Sequence, residues 1–233
     1  MKIVPPSHKI IALPDKSSVL KLLERIGRTC YKSEDKMTVD SARDFVKRLI
    51  RSGHHSVIEH LTVTVHFICD RGISHELVRH RLASFSQEST RYANYSKEKF
   101  GKEITVIRPF FWDKESDLYF AWRDAMDQAE KRYLQLIHLG ARPEEARAVL
   151  PNSLKTELIM SCNFREWRYI FDLRCSRAAH PQMRELLLPL LQEFQEKIPI
   201  IFDDLYEKFE QDIRECLSGI GAWDCDSGSR GSG

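Results

Sequence analysis

The stretch LTVTVHFIC, residues 61–69, alternates apolar and polar side chains. Its apolar positions are Leu61, Val63, Val65, Phe67 and Cys69, and the residues between them include Thr62, Thr64 and His66. Because successive side chains of a β-strand point to opposite faces, this period of two predicts a strand with one buried face. The chain is therefore expected to contain a sheet.

Helical periods precede and follow this strand. Apolar residues recur at helical spacing between residues 17 and 30 and again between 39 and 50, which predicts two amphipathic helices, the second ended by Gly53. After the strand, the stretch ISHELVRHRLASF predicts a helix with Ser74 as its N-cap, followed by a Ser-rich loop.

The remainder of the chain is mostly helical by its pattern. A short strand is predicted at 104–107, followed by a long helix that Gly140 closes, whereas residues 156–164 fit either a strand or a helix. A helical stripe over residues 187–209 should be broken or kinked by Pro199. Helices segregated around a mainly antiparallel sheet predict an α+β fold, with helices flanking the sheet and a long C-terminal helical region.

The domain organisation is expected to be simple. The 233 residues are enough to bury a sizeable core, and no repeat or linker divides them, so residues 1–220 are expected to form a single domain. Residues 221–233 are expected to be a flexible tail, and its SGSRGSG end has the composition of a cloning remnant.

Charge and cysteine composition limit the class of partner. The chain carries 36 Lys and Arg against 34 Asp and Glu, a net charge of +2, so no global field attracts nucleic acid or an acidic membrane. No stretch is apolar and long enough to span a bilayer, and the N-terminal MKIVPPSHK lacks the apolar core of a signal peptide. With six dispersed cysteines and no CxxC, the sequence predicts a cytoplasmic protein without a nucleic-acid or membrane partner.

The segment RHRLASFSQESTRY, residues 79–92, concentrates positive charge locally. Guanidinium, hydroxyl and backbone N–H groups are the donors with which proteins bind phosphate, so this segment predicts a site for a small phosphorylated ligand. Taken alone, Arg79 and Arg81 could instead satisfy the last carbonyls of a helix. The aromatic rings of Phe85, Tyr92 and the nearby Tyr95 leave RNA stacking as a competing hypothesis.

Two further arginines, Arg147 in ARAVLP and Arg174 in FDLRCS, stand in apolar settings. An ion pair at the end of an element would explain them. An anionic ligand supplied from outside is the second explanation, since a buried guanidinium without an acidic partner is costly.

Histidine spacing argues against a zinc protease. His75 and His80 are five residues apart, about 140° around a helix, whereas HExxH needs both histidines on one face. We expect no metal site, and the His-rich stretch 54–60 leaves metal-dependent hydrolysis as a third hypothesis. GxSxG, GxGxxG and P-loop motifs are absent from the sequence.

Several blocks of the sequence resemble one family. Arg79-His80-Arg81, seven further residues and Ser89 resemble the RHR-x7-S signature of the flavin-dependent thymidylate synthases (ThyX). Companion blocks follow the family order: GHHSVIEH at 53–60, ARAVLP at 146–151, NFREW at 163–167 and LRCSRAAHPQMRE at 173–185. The resemblance covers most of residues 20–190.

This resemblance implies a homotetramer with active sites between subunits, which converts dUMP to dTMP. FAD would be the cofactor, methylenetetrahydrofolate the one-carbon donor and NADPH the reductant. FAD contacts would fall on His54, Ser56, Arg79, His80, Arg81, Gln87, Asn163, Arg165 and Tyr169. Contacts to dUMP would fall on Glu76, Arg79, Gln87, Ser89, Arg91, Arg147 and Arg174.

Arg174 is the expected catalytic residue. Uracil must become nucleophilic at C5, which builds negative charge on its N3 and carbonyl oxygens, and a guanidinium in a water-poor pocket stabilises that charge. In this family the reduced flavin is thought to deliver hydride, so Ser89 is assigned to binding rather than to attack. Glu76, Gln87 and Tyr169 stand where some members have Gln, Glu, and Asn or His.

Overall fold

The computed structural model describes residues 1–224, without the side chains of Lys99 and of residues 220–224. The predicted α+β class is confirmed, with an antiparallel four-stranded sheet, flanking helices and C-terminal helices. The helices and strands in chain order are β1 (Lys2–Val4), β2 (Ser7–Ala12), α1 (Lys16–Thr29), α2 (Ser41–Arg51), β3 (Thr62–Asp70), α3 (Arg71–Leu77), β4 (Ala83–Gln87), β5 (Thr105–Ile107), α4 (Asp117–His138), α5 (Pro143–Ala146), β6 (Lys155–Asn163), α6 (Phe164–Arg174), α7 (Pro181–Lys197) and α8 (Asp203–Asp224).

The four-stranded sheet has the strand order β2-β3-β6-β4. The strand predicted at 61–69 is β3, and its apolar face is fully buried at Val63, Val65 and Phe67. The stretch that fitted either a strand or a helix is β6, where Thr156, Leu158, Met160 and Cys162 are buried at every second position. A separate small sheet pairs β1 with β5 in parallel.

The Cα positions group into two compact units, each built from two separate segments of the chain. Unit 1 comprises Met1–Ile11 and Thr64–Ser161, and unit 2 comprises Ala12–Val63 and the chain from Cys162 onwards. Because neither unit is a continuous stretch, no linker marks a boundary in the sequence. The single domain over residues 1–220 stays a prediction.

The core of unit 1 forms around α4. The Ser116 hydroxyl caps this helix by accepting a hydrogen bond from the Tyr119 N–H at 3.2 Å. Gly140 follows the last turn with a φ of 97°, a conformation that glycine adopts without strain. The buried side chains of this core come from α4, α5, β5 and the loops before β5 and before β6: Ala93, Tyr95, Ile104, Val106, Met126, Tyr133, Ala146 and Leu154.

The core of unit 2 is aromatic. Trp167 and Phe171 of α6, Phe194 of α7 and Phe202 lie with ring centroids between 5.1 and 5.9 Å apart. Such stacked, tilted and edge ring contacts stabilise a core beyond the area they bury. As predicted, Pro199 lies in the break between α7 and α8.

Two local predictions before and within β4 are wrong. Helix α3 begins at Arg71, and its N-cap is Asp70 rather than Ser74, because the Asp70 carboxylate accepts the Ile73 N–H at 2.7 Å. The Ser-rich stretch forms strand β4 rather than a loop. Small polar residues carry little strand preference of their own, and pairing with β6 in the sheet overrides that weakness.

The described residues include only part of the tail predicted at residues 221–233. Helix α8 extends to Asp224, so residues 221–224 of the expected tail are helical. The rest of that tail, residues 225–233, lies outside the described residues. Across the part of the chain that the structure covers, none of the helices has the length and apolarity needed to cross a bilayer.

Candidate active site

The turn formed by residues 79–81 connects α3 to β4 within unit 1. The Arg79 N–H donates to the carbonyl of Glu76, a half-buried residue of α3, at 3.2 Å. His80 is 5% exposed, whereas Arg79 and Arg81 are exposed. No acceptor among the described residues binds either guanidinium group, so these arginines do not satisfy the last carbonyls of α3. Their donors remain available to an anion.

The side-chain amide of Gln87, the last residue of β4, is held by two hydroxyl groups. Its Nε2 donates to Ser74 Oγ at 2.9 Å and to Thr156 Oγ1 at 3.2 Å. Ser74 is 0% and Thr156 2% exposed, so bulk water does not compete for these bonds. Both N–H groups of the Gln87 amide are thereby engaged.

The direction of these bonds follows from the Ser74 hydroxyl. Ser74 Oγ donates its one proton to the Arg71 carbonyl at 3.0 Å, so toward Gln87 it can only accept. If the Gln87 amide were rotated by 180°, its Oε1 would face the lone pair of Ser74 Oγ and could not accept a hydrogen bond from it. Gln87 is therefore fixed with its carbonyl oxygen Oε1 as the group left for a ligand, the same kind of acceptor that a glutamate would provide.

The segment after β4 contacts the turn that carries Arg147. Arg147 Nη1 donates to Thr90 Oγ1 at 3.3 Å, and the Ser89 hydroxyl accepts the Arg91 N–H at 3.3 Å. Arg91 Nε lies 3.6 Å from the Glu144 carboxylate, a partly exposed pair of little energetic weight. The structure therefore brings together Ser89, Arg91 and Arg147, three of the residues that the resemblance assigned to dUMP.

One cleft of unit 2 is lined by three residues that the resemblance assigned to FAD. His54, Ser56 and Arg165 border a cavity of about 420 Å³, within the size range of small-molecule sites. Arg165 Nη1 lies 2.6 Å from the carboxylate of Glu59. The remaining lining residues are Gly27, Cys30, Tyr31, Leu49, Gly53, His55 and Val57.

Helix α6 and its N-cap residue together carry four of the expected site residues. The Asn163 carboxamide oxygen caps the helix by accepting the Glu166 N–H at 2.9 Å. Arg165 and Tyr169 are exposed one turn apart, and both line a second cleft of about 420 Å³. Arg174 is half-buried in the last turn and points roughly 180° away from Arg165 around the helix axis. One copy of α6 thus presents its proposed FAD and catalytic residues on opposite faces.

His55 lines both of the clefts just described and was not among the expected contacts. Burial, and after it the positive charge of Arg168, lowers the pKa of His55. Arg168 is itself held by two hydrogen bonds to Asp204, at 2.7 and 2.6 Å. The imidazole is consequently neutral at neutral pH and can both donate and accept a hydrogen bond.

Sequence reasoning missed the side chains that hold the expected contacts in place. Ser74 and Thr156 bind Gln87, and Thr90 binds Arg147, across separations of 13, 69 and 57 residues. Hydrogen bonds between such distant positions produce no periodic pattern in the sequence. The alternating burial along β4 does produce one, because Ala83, Phe85 and Gln87 share a face of an extended segment.

Comparison with known proteins identifies the relatives of this chain. A family model described as "Thymidylate synthase complementing protein" matches residues 13–200. The flavin-dependent thymidylate synthase of Pyrococcus abyssi is 34% identical over 173 residues, which cover 72% of this chain and 70% of that protein. The enzyme of the same name from Corynebacterium aurimucosum is 32% identical over 203 residues, which cover 79% of each chain.

Among solved structures, the UMP/dUMP methylase PolB from Streptomyces cacaoi, bound with 5-Br dUMP, has a similar fold. Its TM-score is 0.73 over 89% of this chain and 97% of that chain, at 19% identity, so this likeness supports the fold alone. The family model spans well over half of the sequence, and the curated relatives exceed 30% identity over most of it. The chain therefore belongs to the flavin-dependent thymidylate synthase family.

Proposed function

We propose that this protein synthesises dTMP from dUMP at sites to which more than one copy of the chain contributes. It is a FAD-dependent thymidylate synthase that takes its one-carbon unit from methylenetetrahydrofolate and its reducing equivalents from NADPH. Family membership favours this reaction over the RNA-binding and metal-dependent hypotheses. The observation that carries the proposal is one segment of unit 1, in which exposed guanidinium groups at Arg79 and Arg81 precede the fixed acceptor of Gln87.

This segment suits a nucleoside monophosphate. A phosphate group needs several donors, which Arg91, Arg147 and the Ser89 hydroxyl offer close to one another. A sugar hydroxyl or a base N–H needs an acceptor, which the Gln87 carbonyl oxygen supplies. Glu76, half-buried in α3, would accept a second donor from the same ligand.

The residues of unit 2 suit part of a flavin cofactor. The cleft lined by His54, Ser56 and Arg165 offers donors and an apolar wall; Tyr169 lies on the same helix as Arg165, and Asn163 is the N-cap of that helix. The exposed guanidinium groups of residues 79 and 81, with the His80 turn that holds them, suit a pyrophosphate. When bound, FAD supplies hydride chemistry that amino-acid side chains lack.

Arg174 would act on the uracil ring. Its guanidinium would stabilise the negative charge that develops on N3 and the carbonyl oxygens, and its half-burial lowers the screening of that interaction by water. Because Arg174 and Arg165 point to opposite sides of α6, we infer that the active site takes its catalytic arginine and its α6 flavin contacts from different copies of the chain. A homotetramer is the assembly we propose.

We also infer a cytoplasmic location. The thiols of Cys69, Cys162 and Cys175 are free and buried, and burial raises the pKa of each. Such thiols suit a reducing compartment.

The decisive test is the variant Arg174→Ala. We expect purified Arg174→Ala to retain FAD, seen as its visible absorption bands, and to lose dTMP formation by about a thousandfold, because the charge on uracil is no longer stabilised. Arg177→Ala is the matched control, since Arg177 is an exposed arginine three residues away that binds Asp212 at 3.1 Å. An Arg174→Ala enzyme as active as the control would refute this role of Arg174.

A further inference from the structure

Four polar or charged side chains form a continuous line of contacts across the sheet of unit 1. Lys155 Nζ on β6 lies 3.1 Å from Glu88 Oε2 and 2.6 Å from Glu157 Oε1. The His66 Nε2 on β3 lies 3.0 Å from the other oxygen of the Glu157 carboxylate. We refer to Glu88, Lys155, Glu157 and His66 as the Lys155 cluster.

Lys155 is the charged centre of this cluster. Burial acts to lower the pKa of Lys155, but its hydrogen bonds to Glu157 and Glu88 and their charges together outweigh burial and raise that pKa. The hydrogen bond from Lys155 in turn lowers the pKa of Glu157. The Lys155 ammonium group therefore lies between the carboxylates of Glu88 and Glu157. Because the side chains of Lys155 and Glu88 are each 20% exposed, solvent screens their pair less than a surface ion pair.

Glu88 joins this cluster to the proposed nucleotide-binding segment. It stands between Gln87 and Ser89, and its backbone N–H donates to the Glu157 carbonyl at 2.8 Å. Both the backbone and the side chain of Glu88 are thus bound to β6. Since successive side chains of an extended segment alternate in direction, Glu88 anchors the segment from the face opposite to Gln87 and Ser89.

We propose that Lys155 is a positioning residue for dUMP, because it holds the segment that presents Gln87 and Ser89. The inference rests on the proposed function, in which those two residues bind dUMP. Without the Lys155 ammonium, the carboxylates of Glu88 and Glu157 repel each other across the sheet. That repulsion acts on Glu88 and displaces its two neighbours, while the proposed FAD contacts in unit 2 keep their own hydrogen bonds.

The experiment compares Lys155→Met with the wild-type holoenzyme. We expect the KM for dUMP to rise about tenfold in the variant. The dUMP concentration that half-saturates the change in flavin absorption should rise by the same factor, because about tenfold in affinity is the contribution of a partly buried charged hydrogen bond. The FAD content and the KM for NADPH should change much less than the dUMP affinity, because Gln87 is the one FAD contact implied by the resemblance that adjoins Glu88. A merely structural role would instead lower the melting temperature without separating dUMP from FAD.

Three further variants sharpen the experiment. Lys155→Arg keeps the positive charge and should restore most of the dUMP affinity. Lys102→Met removes an exposed lysine that pairs with Glu98 at 3.3 Å in the same unit, and it should behave as wild type. Glu88→Ala detaches the segment but leaves Lys155 paired with Glu157, so it should fold even where Lys155→Met does not and should weaken dUMP binding about threefold.

The outcomes separate this inference from the proposed function. If the wild-type protein binds FAD but neither dUMP binding nor dTMP formation is seen, the proposed function fails and the inference fails with it. If the wild type binds dUMP and both Lys155→Met and Glu88→Ala match it, the positioning role alone is overturned. Loss of dUMP affinity in either variant, with FAD retained and with recovery in Lys155→Arg, supports the role.

Discussion

Gln87 and the arginines of the 79–81 turn are close in sequence, yet the structure holds them in opposite ways. The Gln87 amide donates to two buried hydroxyls, and its neighbour Glu88 is bound to β6. Arg79 and Arg81 are exposed, and their guanidinium groups have no hydrogen-bond acceptor within the described part of the chain. The Gln87 region is therefore ordered before a ligand binds, whereas the arginines of the 79–81 turn gain their hydrogen-bond acceptors from the ligand.

This difference follows from the chemistry of the two side chains. A side-chain amide has a donor NH2 group on one side and an acceptor oxygen on the other. Rotating the amide by 180° exchanges the donor and the acceptor that face the ligand, so its orientation must be fixed before the ligand binds. A guanidinium has five donors and no acceptor, so any approach of an anion meets a donor. Mutations that disturb the Gln87 region should therefore lower the stability of the fold, whereas mutations of Arg79 or Arg81 should lower ligand affinity alone.

The largest effect is expected for Arg79→Ala in the exposed region. Because the guanidinium makes no internal bond among the described residues, the melting temperature of the FAD-free protein should stay within error of wild type, while affinity for FAD falls about a hundredfold through the loss of two charged hydrogen bonds to its pyrophosphate. Isothermal titration and thermal melting measure the two quantities. Arg132→Ala is the control, since that exposed arginine binds Gln135 on α4. A clear drop in melting temperature would show that Arg79 supports the fold.

An intermediate effect on both quantities is expected for Ser74→Ala in the fixed region. The substitution leaves one Gln87 N–H without its partner and removes the hydroxyl bond to the Arg71 carbonyl, so the free energy of unfolding should fall by about 1–3 kcal/mol. Freed from Ser74, the amide can turn over, and dUMP affinity should fall about fivefold. Chemical denaturation and dUMP titration check the pair of effects.

The control for that variant is Ser218→Ala, which removes an exposed helical hydroxyl that donates to the Glu215 carbonyl at 2.9 Å. It should change neither stability nor affinity. Equal stability of Ser74→Ala and Ser218→Ala would mean that the Gln87 amide is not held by Ser74.

The smallest effect concerns the pH dependence of stability. The hydrogen bond from Lys155 holds the pKa of Glu157 below its ordinary value of 4.5. A depressed carboxyl pKa contributes stability above about pH 4.5, and that contribution is lost as the pH falls through the lower pKa of the folded state. Because the Glu157 side chain is 45% exposed, the contribution should be below about 1 kcal/mol.

Urea unfolding of wild type and Glu157→Gln at about pH 6 and about pH 3.5 measures this contribution. The wild type should lose more stability between the two pH values than the variant does. If both proteins lose the same free energy of unfolding between the two pH values, groups other than Glu157 cause the acid sensitivity.

The elements that the sequence predicted well are those with a strong local period. Residues 61–69 alternate cleanly, and α1, α2 and α4 carry apolar residues at helical spacing, so each was located within a few residues. Strand β4 escaped detection because small hydroxyl residues have weak strand preference, and its pairing with β6 comes from residues far along the chain. The N-cap of α3 was misplaced because Asp70 and Ser74 are both good caps, and only the path of the chain out of β3 selects Asp70.

By itself, the sequence determined the α+β class, the family and the residue types of the expected site, because local periods and the RHR-x7-S motif are properties of the chain read in order. Only the tertiary structure decided how those residues are presented. The burial of His80, the orientation of Gln87 and the link from Lys155 to Glu88 depend on contacts between strands and turns that are distant in sequence. A hydrogen bond has a direction and a length that no residue pattern specifies, so the polarity that the site offers to a ligand emerges only when the chain has folded.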